Sequence, residues 1–178
     1  MPGFDDAFEI SKIAISLLHG WGYNYRVENH LRTDAELIRA KVGFLLGTAR
    51  KSVEKAEADY RRELLPPPSR EKPRHDPASV AGAQALERLS KGIGSLAMLV
   101  NTQPVPEKDR KTKNPRQEGP TLQQLIDSDQ MLAGQAELLR GMIDGKNGAW
   151  LIENNSDLQE GVKAIDETLR RRQGLLMS

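Results

Sequence analysis

The chain has 178 residues, with 26 Lys and Arg against 25 Asp and Glu for a formal net charge of +1, too balanced for a histone-like binder or an acidic solvating tail. Hydrophobic residues at 38% and charged residues at 29% suit a packed core under a solvated surface, and aromatics at 4% are too few for an all-β domain. The absence of Cys excludes disulfides, thiolate metal ligands, a cysteine nucleophile and thioether-linked haem. With no arginine-led apolar leader and no apolar run of about eighteen residues, a cytoplasmic protein with no transmembrane segment is expected.

The prolines divide the chain. Apart from Pro2 they fall into two groups: Pro66, Pro67, Pro68, Pro73 and Pro77, then Pro104, Pro106, Pro115 and Pro120. A proline inside a helix loses a hydrogen bond and clashes with the preceding turn, at a cost of ~3 kcal/mol. The proline-free stretches therefore predict helices, and the clusters predict connectors at about residues 66–77 and 101–120.

The first helix is expected from Asp5, a plausible cap, to Leu18, with Ala7, Ile10, Ala14 and Leu17 at spacings of three and four and Phe8 and Ile13 alongside. An aromatic loop follows, in which His19, Trp21, Tyr23 and Tyr25 alternate with glycine and asparagine. The longest helix is expected over about 33–64. Its start is the capping-box pattern Thr33-Asp-Ala-Glu36, with Asn29 as an earlier alternative. Ile38, Val42, Leu45, Ala49, Val53, Ala56 and Tyr60 form one stripe along it, on a rod of roughly 48 Å that needs a partner helix. Gly43 and Gly47 within it would allow a close helix approach.

Asp76-Pro77 reads as a cap followed by proline at the first helical position. Leu86, Leu89, Ile93, Leu96 and Val100 make the third stripe. After the second connector, Pro120-Thr121-Leu-Gln-Gln124 opens a fourth helix bearing Leu122, Leu125, Leu132, Leu139 and Ile143, stopped by Gly145 and Gly148. Ser156-Asp-Leu-Gln159 starts the last helix, with Leu158, Val162, Ile165 and Leu169 on one side. Two i,i+4 pairs on it, Asp166 with Arg170 and Glu167 with Arg171, are worth ~0.2–0.5 kcal/mol each. The expected fold is all-α: a bundle of four to five helices forming a single domain over residues 1–178.

No catalytic constellation emerges. The histidines His19, His30 and His75 lack the Glu-x-x-His spacing of a bundle metal site. His30-Leu-Arg-Thr33 resembles the phosphoacceptor box of sensor histidine kinases, but the acid after the histidine that takes the ring proton is missing. Glu54-Lys-Ala-Glu57 is similar to one half of the magnesium site of all-α nucleotide pyrophosphohydrolases, without the second acidic pair; Glu57 pairing with Arg61 on a solvated face is the alternative. Asp127-Ser-Asp129 is a short acidic patch whose spacing splits it across a helix. No nucleophile elbow, Walker loop or dinucleotide fingerprint is present. Catalytic, cofactor and metal residues are accordingly assigned to none.

What remains is surface. The stretch from Lys108 to Arg116 carries five basic residues, Lys108, Arg110, Lys111, Lys113 and Arg116, against one acid. Arg170, Arg171 and Arg172 close the last helix, where complementing the helix dipole explains them equally well. The leading expectation is a non-catalytic assembly subunit that binds protein partners or its own copy, with the His19–Tyr25 loop as a candidate partner surface. The alternative is a small nucleic-acid-binding subunit that contacts phosphates through these eight basic residues.

Overall fold

A computed structural model describes residues 3–21, 31–105 and 115–177. Six helices pack together: α1 (Ala7–Gly20), α2 (Leu31–Leu64), α3 (Pro77–Asn101), α4 (Pro115–Ile143), α5 (Gly148–Glu153) and α6 (Asn155–Met177). No strand occurs among the described residues. All-helical character is as the periodicity implies.

The local starts explain the differences. Asp6, rather than Asp5, caps α1, its carboxylate accepting from the Glu9 amide. The helix continues past Leu18 to Gly20, so His19 lies in its last turn rather than in a loop. α2 runs from Leu31, so the backbone of Thr33 lies inside the helix rather than at its start. Asp76 caps α3 and Pro77 takes the first helical position, as read from the sequence. α4 begins at Pro115, five positions before the expected Pro120. α5 is too short to carry a periodic stripe. Its signal is Asn147, whose side chain accepts from the Trp150 amide.

Helices α2, α3, α6 and α4 form a ring, each touching the next, with α1 against α4 and α5 between α2, α3 and α6. Neighbours α2 and α3 run antiparallel, with Arg61 beside Glu87 near one end and Arg39 bonded to the Gln103 carbonyl near the other. α4 and α6 are likewise antiparallel, joined at Thr168–Gln135 and Arg172–Asp129. The expected stripes meet inside: Ile38, Val42, Leu45, Leu86, Leu89, Ile93, Leu132, Leu139, Leu158, Ile165 and Leu169 are all buried in one cluster. Each such side chain contributes ~1.5–3 kcal/mol by leaving water. Val162 and Tyr60 are only partly buried against this core.

Close approach falls on other glycines than the expected pair. A Cβ at Gly47 would meet nothing within 4 Å, and one at Gly43 only the Asn101 side chain at 3.3 Å. By contrast, a Cβ at Gly134 of α4 would lie 2.5 Å from the Ile10 carbonyl oxygen and 2.8 Å from its Cγ2. Gly161 of α6 leaves similar room for the Phe4 ring. These two glycines let the N-terminal segment lie directly on α4 and α6. Within a helix Gly→Ala ordinarily gains ~1 kcal/mol, yet forcing a methyl against packed backbone costs ~1–3 kcal/mol. Gly134→Ala should therefore lower the urea midpoint, whereas Gly141→Ala in the same helix, with open space around its Cβ, should raise it. Parallel gains from both would show that α1 does not rest on α4 at Gly134.

Candidate functional site

At the junction of α2, α3, α4 and α6 is a buried polar knot. Asp129, fully buried on α4, accepts from Nε of Arg172, which is 2% exposed on α6. The Nη1 of the same guanidinium donates to the Pro104 carbonyl at 2.8 Å. One residue earlier, Arg39 of α2 donates to the Gln103 carbonyl at 3.1 Å. Two helices thereby hold residues 103 and 104, the root of the second connector, by main-chain oxygens. Ions taken out of water need such bonds to offset their lost hydration.

Among the basic residues expected to contact nucleic acid, the three C-terminal arginines separate. Arg170 is exposed and pairs with Asp166 at 2.7 Å, a hydrogen bond that raises its pKa above the ordinary arginine value. Arg171 is exposed and forms no hydrogen bond or ion pair among the described residues; Glu167 is instead 3.9 Å from Lys163. Arg172 points inward, so it offers no charge to the surface. Its role in the knot was missed because i,i+4 arithmetic cannot register a partner 43 positions away. Lys108, Arg110, Lys111 and Lys113 lie outside the described residues, as does the side chain of Arg116.

Of the expected aromatic surface, His19 is exposed, and Trp21 packs partly buried against the core with the Lys41 ammonium 5.7 Å from its ring. Tyr23 and Tyr25 lie outside the described residues. Trp150 also packs partly buried against the core, under Lys146. Glu57 pairs with Arg61, and Glu54 with Arg50, so both glutamates have cationic partners on a solvated face. Among the described residues no cluster of acids and histidines is gathered as for a metal ion, and no helix is long and apolar enough to cross a membrane.

Two features of the described surface bear on function. One is a set of large apolar side chains in solvent: Phe44 at 70% and Leu37 at 37% exposure on α2, Met98 at 72% on α3, and Phe8 and Ile15 on α1. The other is a cleft of about 520 Å³ between α1, α4 and α6, with Ser128 and Thr168 in its wall and Asp127 and Arg171 also lining it. Compared with known proteins, the chain matches no family, no curated protein and no solved structure.

Proposed function

We propose that the protein is a non-catalytic helical subunit that works by binding other protein surfaces, its own copy first among them. The observation that carries this reading is the outer face of α2. Leu37 and Phe44 are seven residues apart, two helical turns along one stripe. That stripe lies away from Ile38, Val42, Leu45 and Leu46, which fill the core. Burying a phenylalanine and a leucine against a second helix would release water from both, since among the described residues Phe44 is left 70% and Leu37 37% exposed.

The nucleic-acid alternative draws less support. It loses Arg172 to the interior, and Arg170 is held by Asp166. One experiment addresses both readings: size-exclusion chromatography with light scattering, recording absorbance at 260 and 280 nm on protein prepared without nuclease. The expected result is a mass above the 19.8 kDa of a single chain without excess absorbance at 260 nm. Phe44→Glu should return it to the single-chain mass while changing stability by less than ~0.5 kcal/mol. A wild-type protein that elutes at the single-chain mass sinks self-association, and a salt-sensitive 260 nm excess promotes the alternative.

A further inference from the structure

The cleft between α1, α4 and α6 presents two opposite charges that do not meet. Arg171 makes no ion pair or hydrogen bond among the described residues, and Asp127 accepts from the Gln123 side-chain amide at 2.8 Å without engaging a cation. Other charges on the same two helices close within their own helix: Arg170–Asp166 on α6 and Arg140–Glu137 on α4, both at 2.7 Å. The cleft wall adds Ser128, which is 8% exposed and has no hydrogen-bond partner among the described residues. Ala7, Met131 and Leu175 supply apolar lining. At about 520 Å³ the space falls within the range of small-molecule sites.

The chemistry of this lining selects a ligand class. An anion would gain from Arg171 and lose to Asp127, and a cation the reverse. A molecule bearing both charges, separated by an apolar body, gains from both. We infer that the cleft is a binding site for a small zwitterion of the amino-acid or short-peptide class, its carboxylate on Arg171, its ammonium on Asp127 and its apolar side chains against Met131 and Leu175, with the Ser128 hydroxyl donating to a ligand oxygen. This site is separate from the α2 face and stands whether or not the protein self-associates.

The test is calorimetric titration of the full chain with leucyl-phenylalanine as the free dipeptide, as its N-acetyl form and as its C-terminal amide. The free dipeptide should bind saturably, and each cap should weaken binding about tenfold through loss of one charge-assisted contact. Arg171→Met should abolish the preference for acid over amide while keeping that for free over acetylated amine, and Asp127→Asn should do the converse. Both side chains are exposed, so both variants are expected to fold, and their far-ultraviolet circular dichroism checks it. Absence of saturable binding overturns the site, as does equal binding of the capped forms. A preference that survives Arg171→Met would place the binding elsewhere.

Discussion

Replacing Arg172 with methionine should destabilise the protein by about 3–5 kcal/mol, the range for removing one partner of a buried ion pair. The side chain removed is 2% exposed and the carboxylate it serves is fully buried. Losing the guanidinium removes the Arg172 charge from beside Asp129 and the donor from the Pro104 carbonyl together. Urea denaturation of the wild type, Arg172→Met and Arg171→Met measures this directly. Arg171→Met changes the same residue type one position away, on the exposed side of α6, and should move stability by no more than ~0.5 kcal/mol. Adding Asp129→Leu to Arg172→Met should restore most of the loss, since an apolar pair of similar volume is often no worse than a buried ion pair. Equal effects from the two arginines would mean that the knot carries no net stability. A double variant as unstable as the single one would mean that the Pro104 carbonyl, rather than the lost Arg172–Asp129 pair, dominates.

This knot marks the boundary between what the residue order discloses and what only the assembled fold supplies. The stripes of α2, α3 and α6 were legible because burial imposes a period of 3.6 on the helix that provides it. Asp76-Pro77 was legible for a local reason, a side chain reaching its own helix start. The start of α4 was not, because Pro120 reads as the opening of a helix and yet is the sixth residue of the one that begins at Pro115. Local proline cost there is overridden by the rest of a 29-residue helix with a buried face. The Asp127-Ser-Asp129 spacing correctly separates the two acids, with Asp127 exposed and Asp129 buried. Which of them faces Arg172 depends on the register of α4 against α6, and no local pattern encodes that. The cleft was invisible for the same reason: Arg171 and Asp127 come from different helices. Gly43 and Gly47 show the opposite error, since a four-residue glycine spacing permits close approach without requiring it.

Leu45→Asp should leave the protein unfolded at 25 °C, whereas Phe44→Asp should leave it folded, although the two positions are adjacent. Leu45 is 5% exposed within the core cluster, and Phe44 is 70% exposed. Truncating a buried leucine alone costs ~2–5 kcal/mol, and setting a carboxyl group in its place adds the cost of burying a polar group without a partner. Together these approach or exceed the ~5–15 kcal/mol that holds a typical domain together. At Phe44 the new carboxylate stays in water and the change removes only the apolar surface offered to a partner. Circular dichroism melts separate the outcomes: no cooperative transition for Leu45→Asp, and for Phe44→Asp a cooperative melt at single-chain mass, lowered only by the stability that association adds. A cooperative melt near the wild-type midpoint for Leu45→Asp would place α2 in the wrong rotation about its axis, because a turn of about 100° exchanges the two side chains. The stability of this bundle and its proposed assembly thus depend on opposite faces of one helix, and that pair of variants distinguishes them.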